Sequence, residues 1–200
     1  MNKTDTILRE ARGTILTRLD IDTLARKYHF EKFKLRKLLL NGGNLVTIFR
    51  GVYYLRNYEE KKLSYLKYSA YELLALGLHQ KRVRWYFGLD TALKFLNVTH
   101  EVFPVNIVIN DTFNRIKPMD IAGSKFLFLK LKPALFFGIK EIRTKNEIIL
   151  FYSAMEKTIL DILYLKKPVN LQEFKFNKSL LLQASIKYTR IVQKKIKELL

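Results

Sequence analysis

Apolar positions change their period twice in the first 55 residues. Between Thr4 and Arg12 they recur at helical spacing and predict a short first helix. "RLDIDTLARKYHF" predicts a second, with Asp20 or Asp22 as N-cap and Leu24 and Ala25 on its inner side. In "HFEKFKLRKLLLNGG", Leu35, Leu38 and Leu39 stand at i, i+3 and i+4, so a third helix is expected, stopped by Gly42-Gly43. Phe33 and Leu40 fall off that stripe. "LVTIF" and "VYYL" then follow, rich in β-branched and aromatic side chains. Only Arg50-Gly51 separates them, which is the spacing of a tight hairpin.

Residues 57–62, "NYEEKK", form a polar link and divide the chain into expected domains 1–58 and 59–200. Beyond it, Leu63, Leu66, Ala70, Leu73 and Leu74 keep a helical period up to Gly77, and "WYFGLDTALKFLNV" predicts another helix. "VNIVIN", "SKFLFLKL" and "EIILFY" are strand candidates. "SAMEKTILDILYLKKP" opens with Ser153 and Glu156 at capping-box spacing, carries Met155, Ile159, Ile162 and Leu163 on one face, and stops at Pro168. From Lys178 to Leu200 the pattern predicts one long helix. Leu181, Ala184, Tyr188, Ile191 and Val192 lie on one side of it, and Lys187, Arg190, Lys194 and Lys197 on the other. The fold class is therefore α+β: an N-terminal winged helix-turn-helix, then a mixed α/β domain ending in a long helix.

In that reading Leu24 and Ala25 pack the first helix of the pair on the second, Phe30 plugs the turn, and Leu35 and Leu38 face the core. Lys32, Phe33 and Arg36 are then left on the outside of the recognition helix, flanked by Lys34 and Lys37, with Arg50 at the wing tip. Arg36 suits a guanine edge, because its fork bonds two acceptors at once; the lysines and Arg50 suit phosphates. Spacing alone equally allows a solvated basic helix beside an ordinary hairpin.

Charge changes the picture more than composition does. Of the 200 residues, 48% are hydrophobic and Gly and Pro number only 8 and 4, enough for a packed core. Lys and Arg number 37 against 18 Asp and Glu, a formal charge of +19. Such an excess favours a polyanionic partner, since each phosphate neutralised releases counterions. A lysine-decorated surface of the thermophilic kind is the alternative. The last 33 residues carry 7 basic and 2 acidic side chains. Their Lys187/Arg190/Lys194/Lys197 stripe is either a second phosphate-contacting surface or a solvated helix face.

Candidate chemistry is sparse. There is no cysteine, hence no disulfide or thiolate site. His29, His79 and His100 stand apart without ligand spacing, so no metal or other cofactor is expected. Gly42-Gly43 lacks the pattern of a phosphate loop, and no GxSxG elbow occurs. Asp111 after one strand and Lys130 on another suggest a nuclease core, but position 128, where an acid is needed, is Phe. Glu156 and Asp161 are five apart and share no helix face closely; Asp161 suits an ion pair. Catalysis is not expected. No apolar run approaches the ~18 residues of a membrane span, and the N-terminus has no secretory h-region, so a cytoplasmic protein is expected.

"LARKYHFEKFKLRKLLLNGGNLVTIFRGVYYL" resembles the N-terminal winged helix of AbiEi-type antitoxins. There a leucine-alanine helix, a basic recognition helix, a glycine and a strand ending in Arg-Gly-Val-Tyr recur in order. "WYFGLDTALKFLNV" is similar to the segment that follows in the family, and "SAMEKTILDILYL" to a helix in which a Glu-Lys pair precedes a Leu-Asp pair. The three patches span residues 24 to 167. His29-Phe30 departs from the family's glycine and aliphatic residue, and Glu31 stands where Ser or Thr is usual. The resemblance implies operator binding and self-repression on double-stranded DNA. It also implies antagonism of a nucleotidyltransferase-like toxin, AbiEii, in some systems without a stable complex. An enzyme acting on nucleic acid and a non-catalytic protein-interaction module are the alternatives.

Overall fold

The computed structural model describes residues 3–200 apart from Arg12, Lys32, His100 and Val102, with Glu173 described by its backbone alone. The chain divides into two compact units: residues 1–82 with 121–123, and residues 83–120 with 124–200. It is an α+β protein, with a helix–strand region first and a mixed-sheet α/β region after it.

The first unit runs α1 (Lys3–Ala11), β1 (Thr14–Thr17), α2 (Arg18–Lys27), α3 (Lys34–Asn41), β2 (Leu45–Phe49) and β3 (Val52–Leu55), followed by α4 (Tyr58–Lys62) and α5 (Ala70–Gln80). The hairpin of β2 and β3 turns at Arg50-Gly51, with Gly51 at φ +83°, where glycine carries no steric cost. The strand β1 was not legible as such. It pairs antiparallel with β3, Thr14 opposite Leu55 and Thr17 opposite Val52, giving the sheet order β1-β3-β2. Ile7, Leu8, Leu16, Ile21, Ala25, Leu35, Leu39 and Leu55 close the core beneath it.

Several boundaries move. Thr17, not Asp20 or Asp22, caps α2, and Asp20 is the N3 partner of its capping box. In α3, Leu39 joins Leu35 inside while Leu38, expected to face the core, is 41% exposed. The polar link is helical: Asn57 and Glu60 form a capping box that starts α4. Both α4 and α5 cluster with the first unit, beyond the residue-58 boundary read from the sequence. Leu63 is exposed and Ser69 caps α5, so the helix starts later than its apolar period. Gly77 permits α5 to approach the sheet, since a Cβ there would lie 2.5 Å from Ile48 Cγ2.

From residue 83 onward the chain forms β4 (Trp85–Phe87), α6 (Leu89–Phe95), β5 (Asn106–Asn110), β6 (Met119–Ile121, its last residue grouped with the first unit), β7 (Ser124–Lys130), β8 (Ile139–Arg143), β9 (Ile149–Ser153), α7 (Met155–Tyr164), α8 (Lys178–Ser185) and α9 (Arg190–Leu199). The sheet order of these strands is β6-β7-β5-β4-β9-β8. The pairs β5/β7 and β4/β9 are parallel, while β4/β5 and β8/β9 are antiparallel. All five residues of β5 are buried, as suits a central strand.

Trp85–Phe87 is strand rather than the start of a helix; Gly88 ends it and α6 follows. The Ser153/Glu156 capping box does not form. Ser153 closes β9 and bonds Thr158 Oγ1 at 2.6 Å, while Glu156 Oε1 accepts from the Asn177 amide at 2.9 Å. The single long terminal helix is replaced by α8 and α9, which pack on α7 through Leu181, Tyr188, Val192 and Ile196. No helix among the described residues is long and apolar enough to cross a membrane.

Candidate functional site

Three chain turns meet at one end of the first unit. Thr17 and Asp20 exchange hydrogen bonds of 2.7 and 3.3 Å, fixing the first turn of α2. Directly after the cap, the Arg18 amide donates to the Gly51 carbonyl at 3.2 Å and so ties α2 to the hairpin turn. At its other end α2 closes in a Schellman motif: His29 takes φ +56°, its amide donates to Arg26 O at 3.2 Å, and the Phe30 amide reaches Ala25 O at 2.8 Å. Here His29 occupies the left-handed position that glycine usually fills, and Phe30 packs against the core.

Phe33 then caps α3 at φ +74° and is 44% exposed. A left-handed φ in a bulky residue costs about 1–3 kcal/mol. Two cations from different helices lie at the ring: the Arg18 guanidinium carbon is 5.2 Å from its centroid and that of Arg36 is 5.8 Å. Cation–π contacts of this kind are worth about 0.5–1 kcal/mol at an exposed site. Gly42-Gly43 ends α3 as expected, Gly43 at φ +65°.

Of the residues singled out from the sequence, Phe33 and Arg36 are brought together at this tip. Lys34 and Lys37 are exposed on α3, with Lys34 Nζ 3.9 Å from Glu31. Arg50 is exposed at the hairpin turn beside Gly51. Lys32 lies outside the described residues. Arg18 was missed, because its place depends on β1, whose partner strand is about 40 residues away.

The four basic residues of the terminal stripe do not share one helix. Lys187 sits in the turn between α8 and α9, its ammonium 4.3 Å from the Phe137 ring centroid. Arg190, Lys194 and Lys197 belong to α9, where Lys194 pairs with Glu198 at 3.7 Å. Ile191, expected inside, is 76% exposed. The chain breaks after Ser185, and the new helix α9 turns Val192 and Ile196 inward and Ile191 outward, while Tyr188 in the break is itself buried. Gln193 Nε2 donates to the Tyr188 carbonyl at 2.8 Å and holds the break.

Each unit also buries charged groups. In the first unit the fully buried Glu60 carboxylate accepts from the Tyr54 hydroxyl at 2.8 Å, the Asn57 amide at 2.8 Å and the Lys67 amide at 2.7 Å. Burial, and then that carboxylate, push the Tyr54 phenol above its ordinary range. In the second unit Lys157 and Asp161 form an ion pair that is almost wholly buried. Lys157 Nζ also donates to the Tyr86 and Tyr188 hydroxyls, both at 2.8 Å. Those hydroxyls donate in turn to Asp161, at 2.8 and 2.7 Å. Burial lowers the Lys157 ammonium from the usual lysine range against the pull of Asp161, and raises the Asp161 carboxyl against the pull of Lys157. With three acceptors around one shielded ammonium, the cluster pins β4, α7 and the break before α9 together.

Asp111, weighed as part of a nuclease core, accepts from the neighbouring Thr112 hydroxyl at 2.8 Å, and Asn110 shapes the turn. Lys130 sits opposite Asn110 in the parallel register of β5 and β7. Among the described residues no group of three His, Asp or Glu side chains is placed to hold a metal. No family model and no curated protein matches the chain.

Proposed function

We propose that the chain is a DNA-binding autoregulator and antitoxin of a two-gene toxin–antitoxin system, acting in the cytoplasm. The observation that carries the DNA-binding half is the convergence of Arg18, Phe33, Arg36 and the Arg50-Gly51 turn at one exposed tip. The order helix–strand–helix–helix–strand–strand, with the last strand central in a three-stranded sheet, supports a winged-helix reading of that tip. In it α3 lies in the major groove, Arg36 takes a guanine edge, and Lys32, Lys34, Lys37 and Arg50 hold phosphates. A charge of +19 supports the polyanionic partner.

The antitoxin half rests on the resemblance of residues 24 to 167 to AbiEi-type antitoxins. It makes a nucleotidyltransferase-like toxin the functional partner, with or without direct contact. The test of the DNA-binding half is binding to 30-base-pair duplexes tiled across the DNA upstream of the chain's own coding sequence, against scrambled duplexes of equal composition, through a salt series. Preference for one upstream duplex that persists at moderate salt is the expected result. Equal, steeply salt-dependent binding to all duplexes would overturn the autoregulator.

A further inference from the structure

Phe33 combines three features: a left-handed backbone without glycine, 44% exposure, and a guanidinium from each of two helices beside its ring. A backbone outlier of this kind persists only where its surroundings over-determine it, and such outliers cluster at ligand contacts. Arg18 meets the ring with its guanidinium while its amide donates to the Gly51 carbonyl, so one residue touches both the hairpin turn and the ring.

Resting on the DNA-binding reading above, we infer that Phe33 reads thymine through its 5-methyl group in the major groove, and that Arg18 is the positioning residue that aims it. The major-groove edge of thymine presents a methyl group and one acceptor, and an apolar ring has nothing else there to recognise. Arg36, on the same helix, lies 5.8 Å from the ring centroid. Successive base pairs rise about 3.4 Å, so the thymine met by Phe33 lies within two base pairs of the guanine taken by Arg36. The site thus favours a short mixed step of thymine and guanine rather than a run of either.

The probe is the preferred upstream duplex prepared with thymine and again with uracil, which lacks only the methyl. Scrambled thymine and uracil duplexes cancel any general effect of the exchange. For the unmodified protein the uracil duplex should bind about fourfold more weakly, the worth of one buried methyl. Phe33→Ala should bind both forms equally. Phe33→Gly, which relieves the positive φ, should do the same while melting no lower, and so separates loss of reading from loss of fold. Arg18→Met should shrink the thymine–uracil ratio towards one, and Arg18→Lys, which keeps a cation at the ring, should restore part of it. A Phe33→Ala protein that keeps the full ratio overturns the role of Phe33, and an undiminished ratio in Arg18→Met overturns that of Arg18. Upstream preference with no thymine–uracil difference overturns the inference alone. Absence of upstream preference overturns the DNA-binding reading and this inference with it.

Discussion

His29 and Phe33 bracket the turn between α2 and α3 with positive φ values of 56° and 74°. The two residues differ in what their strain can be for. His29 is exposed, and its Schellman hydrogen bonds come from the backbone alone, so any residue content with a left-handed φ serves there. His29→Gly should therefore stabilise the chain by about 0.5–1 kcal/mol, the steric relief exceeding the added entropy of the unfolded glycine. Urea denaturation reads this as a higher midpoint at unchanged slope; a lower midpoint would mean that the imidazole itself holds the turn. Such positions also mark how far single residues were legible. Gly43 and Gly51 announced their turns, because glycine is the residue those conformations favour. A histidine or phenylalanine in the same conformation leaves no trace in composition or periodicity, and so the start of α3 at Lys34 was not legible.

Elements were legible where their pattern is local. The hairpin of β2 and β3, the strands β5, β7 and β9, and the buried face of α7 through Ile159, Ile162 and Leu163 follow from period alone. By contrast, β1 is four residues whose pairing partner lies far along the chain, and Trp85–Phe87 is three residues continuous with a helical pattern. The break between α8 and α9 carries Tyr188, whose hydroxyl reaches Asp161, a long-range contact that no helical period records. That same cluster gives a prediction for α7. Lys157→Met leaves a buried carboxylate with only tyrosine donors and should cost about 3–5 kcal/mol. Adding Asp161→Asn removes the unpaired charge and keeps one oxygen as acceptor for one of the two hydroxyls, which in the unmodified chain use different carboxylate oxygens, so the double variant should be more stable than Lys157→Met alone. Denaturant midpoints of the two variants decide it. Additive losses would show that the pair acts as two separate packing residues rather than one electrostatic unit.

Across the whole molecule the +19 charge and the built tip compete to explain any affinity for DNA. Diffuse charge alone predicts binding that ignores sequence, with a salt slope shared among many lysines. A groove-reading tip divides the labour: some cations set register on phosphates and one reads a base. Arg36 and Lys37 are adjacent on α3 yet differ in what the tip does with them. Arg36 is held at the Phe33 ring, whereas Lys37 is exposed on the helix. Lys37→Ala should therefore weaken upstream and scrambled duplexes by the same factor and reduce the slope of log K against log salt by about 0.9, the share of one phosphate. Arg36→Ala should instead weaken the upstream duplex by about 1–3 kcal/mol and scrambled duplexes far less, narrowing the ratio between them. Titrations of both variants at four salt concentrations separate the cases. Uniform loss from Arg36→Ala would return the affinity to undirected charge, and the hairpin beside it would then be an ordinary sheet edge.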